Sequence, residues 1–202
     1  MLIGCVITYN DWPLIKDCIE SIYSQVDRIV AIDGRYKDFP GDNWDSTDGT
    51  LEYLCSLDKA DVISTLGYSE LDKRNRYLEE LSDGDICLNL DADEVLVGNI
   101  SKLESDFGII NLKDGHSKHI QKRATRFFRY HEGMRYKFVH YTLYQNGIML
   151  NDLKKIVDGK CSYENVKDFY IRHDWHKRDQ LRKHCKSIYY KKLLVNEKGY
   201  PR

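Results

Sequence analysis

The sequence predicts an α/β protein with a mostly parallel central sheet flanked by helices, a mixed-strand second half and a C-terminal helix. Three observations predict it. Short apolar runs alternate with stretches of helical periodicity over residues 1–95, in the order β-α-β-α-β-α-β. Beyond residue 96 the pattern changes to strands separated by Gly and Asn turns. The chain has 202 residues of 42% hydrophobic content, enough for one core, and its three prolines and scattered glycines leave no linker. A single domain, 1–202, is therefore expected, divided into halves 1–95 and 96–202.

Each element has its own signal. Leu2–Thr8 is a continuous apolar strand. Leu14, Cys18, Ile22 and Val26 recur every four residues, so a helix covers 12–25. Ile29–Ile32 is a second strand ending at Asp33-Gly34, and the polar stretch 34–47 is a loop. Ser46-Thr47-Asp48-Gly49-Thr50 precedes Leu51, Leu54 and Leu57 and reads as a capped helix start. Ala60–Leu66 is a third strand and Ser69–Leu81 a helix capped by Ser69 or Asp72. Asp85–Leu90 is a fourth strand that runs into Asp91-Ala92-Asp93-Glu94. In the second half Phe107–Leu112, Thr125–Tyr130, Phe138–Tyr144 and Val166–Ile171 read as strands. His176–Val195 is a helix with Leu181, Cys185, Ile188, Tyr189 and Leu193 on one side. Buried strands joined by helical crossovers form a parallel sheet covered on both faces, and such sheets bind ligands beyond the carboxyl ends of their strands.

Composition narrows the classes of function. No apolar run approaches the ~20 residues of a membrane span. The short apolar start lacks a basic region and a cleavage site, so it reads as a strand of a cytoplasmic protein. None of the six cysteines forms a CxxC pair, which argues against zinc and for reduced core thiols. The net charge of −1 hides an asymmetry. Residues 1–110 carry 23 Asp and Glu against 9 Lys and Arg, whereas residues 111–202 carry 9 against 22. The acidic half suits a cation; the basic half suits phosphate, an acidic acceptor, or simply the acidic half itself. No nucleic-acid-binding module is present.

Three polar clusters fall at strand ends: Thr8-Tyr9-Asn10, Asp33-Gly34 and Asp91–Glu94. The i, i+2 spacing of Asp91 and Asp93 lets two hard oxygen ligands grip one Mg²⁺ or Mn²⁺, an ion that completes its shell with substrate phosphates.

These residues carry a resemblance. Ile7-Thr8-Tyr9-Asn10, Asp33-Gly34, the Ser46–Thr50 turn, Lys73-Arg74-Asn75, Leu90–Glu94, Arg126–Arg129 with Val139-His140, and Ile171-Arg172-His173 occur in the order seen in family 2-type glycosyltransferases of the GT-A fold. The resemblance covers nearly the whole chain. It implies a metal-dependent transfer of sugar from a nucleotide-sugar, a UDP-sugar first and a GDP-sugar second, to a hydroxyl on a glycan, lipid or protein. It implies that Thr8, Tyr9, Asn10 and Asp33 contact the nucleotide and that Arg74 sits beside the diphosphate or donor sugar. Asp91 and Ala92 would meet the ribose and donor, Asp93 and Asp91 would hold the metal, and His173 would complete its shell. The family joins the Asp of strand two directly to the Ser-Thr-Asp-Gly-Thr turn. Here Arg35 to Trp44 intervene, so Asp45 or Asp48 can take the base-binding role instead.

An inverting transferase needs a base for the acceptor hydroxyl. Relatives show an acid after the Val-His pair, where this chain has Tyr141; His140 and Asp152 are the nearest candidates. The basic C-terminal helix suits a peripheral contact with an anionic membrane. Two other readings stand beside the transferase: a catalytically degraded nucleotide- or carbohydrate-binding module, and a metal-dependent phosphodiester hydrolase using Asp91, Asp93 and Glu94.

Overall fold

The structure, a computed structural model, describes residues 1–137, 142–145, 148–150 and 161–196. The first half alternates as expected: β1 (Leu2–Ile7), α1 (Leu14–Ile22), β2 (Arg28–Asp33), α2 (Thr50–Cys55), β3 (Ala60–Ser64), α3 (Glu70–Leu78) and β4 (Ile86–Asp91). β3, β2, β1 and β4 lie side by side in that order and all parallel. Alternate strand residues feed two cores. Ile3, Cys5, Val30, Ile32 and Cys87 pack under α3 with Tyr77 and Leu78. Val6, Ile29, Ala31, Leu88 and Leu90 pack on the other face against Ile15, Ile19 and Ile22 of α1 and Leu54 of α2. Each fully buried aliphatic side chain contributes about 1.5–3 kcal/mol, so α1 is held by its stripe rather than by its nine-residue helix propensity. α3 carries the predicted cap as a capping box: Asp72 N–H donates to Ser69 Oγ, and Ser69 N–H donates to Asp72.

The second half holds β5 (Glu94–Gly98), β6 (Phe107–Asp114), β7 (Ile120–Arg129), β8 (Arg135–Lys137), β9 (Thr142–Gln145), β10 (Ile148–Met149), β11 (Tyr163–Asn165) and β12 (Phe169–His173). A 3-10 turn, Trp175–Lys177, leads into α4 (Gln180–Asn196). The sheet continues from β4 through β7, β6 and β12 to β5, with β11 also on β6; β8, β9 and β10 form a separate three-stranded sheet. Several boundaries differ from the sequence reading. α1 is shorter at both ends. β5, β8, β10 and β11 are additional strands. β7 begins five residues before Thr125. Residues 138–141 of the expected strand Phe138–Tyr144 lie outside the described residues. Leu181, expected on the packed side of the last helix, is 73% exposed.

The central sheet is curled. Only Ala92 and Asp93 separate β4 from β5, yet three strands lie between them along the sheet. Four strand spacings would put them ~19 Å apart in a flat sheet, whereas the connection spans at most ~11 Å. The sheet therefore folds back on itself, and the Asp91–Glu94 turn is its seam. Register then brings the site together: Ile7 lies opposite Asp91, and His173 lies opposite Glu94.

Candidate functional site

The seam is built from buried opposite charges. Arg74, 1% exposed, donates from Nη2 to Asp91 Oδ1 at 2.5 Å. Arg126 donates to Asp91 Oδ2 at 2.7 Å, to Glu94 Oε1 at 2.9 Å and to Asn89 Oδ1 at 3.0 Å. Glu94 Oε2 accepts the Asp91 N–H at 2.8 Å and so closes the turn on itself. Burial alone would raise the Asp91 carboxyl, but the Arg126 and Arg74 guanidiniums outweigh it and hold that group well below the usual carboxylate range. At Glu94 burial wins over Arg126, with help from the Asp91 charge, and lifts its pKa to about 7. A register shift in the β6–β7 ladder, where Gly108 faces Phe127 but Ile110 faces Arg123, inserts extra residues in β7 beside this cluster. Bulges of this kind re-aim side chains, and here Arg126 is turned into the site.

Asp93 belongs to a second cluster. Its Oδ2 accepts from Arg178 Nε at 2.6 Å and lies 3.4 Å from His173 Nε2. Arg178 also donates to Asp11, whose carboxylate lies 3.5 Å from Arg182 and accepts from Thr8 Oγ1 and the Tyr9 N–H. Burial opposes ionisation of Asp93, yet His173 and Arg178 hold it far below the usual range. Burial likewise lowers His173, but Asp93 reverses that and raises it. These buried acids explain why Leu181 faces solvent: Tyr189 and Cys185 of the expected apolar set pack on the core, while Arg178 and Arg182 take the inward positions nearer the acids.

Of the other predicted residues of the first half, Thr8, Tyr9 and Asp33 are buried, Asn10 is half-buried and Asp48 is exposed. Asp33 is fully buried, and its two oxygens accept from Ser46 Oγ at 2.6 Å and Ser46 N–H at 3.0 Å, pinning the 34–45 insert to β2. Asn10 takes a left-handed conformation, φ +49°, and its Oδ1 accepts the Thr47 N–H. Asp48 accepts the N–H groups of Trp12 and Thr50, the latter opening α2. The insert's Tyr36 and Phe39 are buried against Tyr189 of α4, at ring-centroid separations of 5.8 and 5.7 Å. Arg182 lies over the rings of Tyr9 and Phe39. Lys73, fully buried, donates to the Thr8 and Gly34 carbonyls.

Two cavities flank Asp91. One, of about 530 Å³, is walled by Asp91, Asp93, His173, Arg178, Lys183 and Lys186, among others. The second, of about 490 Å³, has Asp91 and His173 in common with the first and adds Arg74, Glu94, Arg123 and Arg126. Thr8, Tyr9, Asn10, Asp33, Asp48 and Ala92 line neither. Thus Asp91, Asp93 and His173 line one cavity and Arg74, Asp91 and His173 the other, whereas Thr8, Tyr9 and Asp33 are buried away from both. His140 and Asp152 lie outside the described residues. Among the described residues no group of three or more His, Cys, Asp or Glu side chains is placed to hold a metal ion. Asp93 Oδ1, however, is buried with no hydrogen-bond partner among the described residues. That free oxygen and the His173 imidazole suit Mg²⁺ or Mn²⁺ if phosphate oxygens complete the shell.

Sequence reasoning missed Asp11, although an acid just after the polar end of a buried strand was a visible signal. It also gave Arg126 no place at the carboxylate turn, because the bulge that redirects it has no sequence signature.

No family model matches the chain, and no curated protein matches it. Among solved structures it is similar to S. aureus TarS, with 21% identity and a TM-score of 0.45 over 60% of this chain and 23% of that one. It is similar to the TarS 1–349 structure with 22% identity and a TM-score of 0.45, over 60% of this chain and 38% of that one. The chain thus spans well under half the length of either. No helix among the described residues is long and apolar enough to cross a membrane.

Proposed function

We propose that the protein transfers a sugar from a nucleoside-diphosphate donor to a hydroxyl acceptor, as the sequence resemblance implies. The observation that supports this most is the position of Asp91 and His173 on the walls of both cavities. A donor and an acceptor held one on each side would meet at that wall. Lys183 and Lys186 suit the donor's diphosphate in the first cavity, where a divalent ion on Asp93 and His173 would stabilise the charge on the leaving group. Arg178 already neutralises Asp93 and Asp11 there, so this chain's own residues orient the carboxylates before any ligand arrives. A UDP-sugar is the first choice of donor and a GDP-sugar the second. The acceptor is a glycan, a lipid-linked chain or a protein, and Asp152 or His140 takes the proton of its hydroxyl.

Calorimetric titration with UDP- and GDP-sugars, first with Mn²⁺ and then with EDTA, tests the reading. Metal-dependent binding of one nucleotide class is expected, and Asp93→Ala should abolish it while the circular dichroism spectrum stays unchanged. Full donor affinity in Asp93→Ala with Mn²⁺ present would remove Asp93 from the site, and no binding of any donor would defeat the transferase reading.

A further inference from the structure

The second cavity carries more cation than its own acids can use. Three guanidiniums, Arg74, Arg123 and Arg126, face two carboxylates, Asp91 and Glu94. Arg74 and Arg126 are committed to those acids. Arg123 has no carboxylate within ion-pair distance among the described residues, and its hydrogen bond there goes to Gln121 Oε1, two residues away on the same strand. Although its side chain reaches the rim, partial desolvation and the neighbouring Arg126 outweigh the attraction of Glu94 and Asp91 and lower its pKa. An unbulged strand would send residues 123 and 126 to opposite faces; the register shift in β7 brings both to this cavity.

We propose that this cavity is a subsite for an anionic acceptor, one carrying a phosphate or carboxylate near the hydroxyl to be glycosylated, with Arg123 as the residue that selects it. The proposal rests on the transferase reading for the word acceptor but not for the anion site itself. A guanidinium fork matches either oxyanion in a two-point contact. The cavity's polarity also orients the ligand. Asp91 and Glu94 already use Arg74 and Arg126, so the charged group pairs with Arg123 and the hydroxyl points to the wall shared with the donor cavity. A volume of about 490 Å³ accommodates a small polyol or one sugar ring bearing such a group.

The test is calorimetric titration of the donor-free protein with glycerol 3-phosphate, glucuronate, inorganic phosphate and, as the neutral control, glycerol. Binding of at least one of the first two, with none of glycerol, is expected; the tighter one names the oxyanion. Arg123→Gln, on an exposed rim position whose loss leaves no buried acid unpaired, should weaken that binding roughly tenfold or more. Lys186→Gln, in the other cavity, should leave it unchanged. Anion affinity that is the same in Arg123→Gln as in the wild type, or that is lost in Lys186→Gln instead, would overturn the proposal. So would equal binding of glycerol and glycerol 3-phosphate, or inorganic phosphate as the one anion that binds. Nucleotide-sugar titrations run in parallel keep the two ideas apart: anion binding without donor binding keeps the site and discards the transferase.

Discussion

At the scale of single residues, the site is an exercise in burying charge. Arg178 is 8% exposed and bridges Asp11 and Asp93, themselves 4% and 2% exposed. Removing one partner of such a pair strands the others, so Arg178→Met is expected to cost roughly 3 kcal/mol in urea unfolding at pH 7, and Asp11→Asn added to it should recover part of the loss. The carboxyls of Asp11, Asp91 and Asp93 all lie below their ordinary values. They contribute stability that is present above the unfolded value near 4 and lost as pH falls through the folded ones. Lys73 acts with the same sign in a higher pH window. Burial outweighs its acidic neighbours and lowers its pKa to about 7, while the unfolded chain keeps that proton to about 10.4. Between those values the unfolded state binds more protons, so stability rises with pH. Urea midpoints of wild type and Lys73→Met at pH 7 and 9.5 should diverge in the wild type's favour, by at most ~1.4 kcal/mol per pH unit; a constant gap would show that the ammonium stays charged. Asp91 and Asp93 stand out in the sequence because their spacing at a strand end is a property of the chain alone, whereas His173 entered through the family resemblance. Asp11 with Arg178 was not legible, because a pair 167 residues apart exists only through the fold.

At the scale of elements, the parallel half was readable because two-faced burial writes itself as continuous apolar runs, as in Leu2–Ile7 and Ile86–Asp91. β5 was not read, since Glu94–Gly98 follows β4 so closely that it looks like the end of one strand. The α4 face was misread because cations, not Leu181, are what the underlying acids require. The turn after β2 offers a test of element geometry. Gly34 has φ +123°, and a Cβ there would lie 2.5 Å from the Thr65 carbonyl oxygen. Its own carbonyl accepts from Lys73. Gly34→Ala should therefore cost about 2 kcal/mol or more in thermal or urea unfolding, whereas alanine at Gly67, which has a positive φ but nothing within 4 Å, should cost less.

At the scale of the whole molecule, the acidic and basic halves of the sequence meet at the seam, which makes the site and the fold one structure. A ligand there must stabilise the whole. Donor with Mn²⁺ at about a hundred times its dissociation constant should add ~2.7 kcal/mol, read as a rise in Tm of roughly 5–10 °C for a chain of this size; EDTA should cancel it. The curled sheet also orders events in time. β12 can enter between β6 and β5 only after some eighty further residues have been made, since Glu94 waits for His173. During synthesis Asp91 has Arg74 already and gains Arg126 together with Glu94, whereas Asp11 and Asp93 stay exposed as uncompensated acids until Arg178 arrives. Burial of those acids is a late step, and truncations that stop before Arg178 should yield a collapsed but soft domain whose β4 and β5 amides exchange within seconds to minutes.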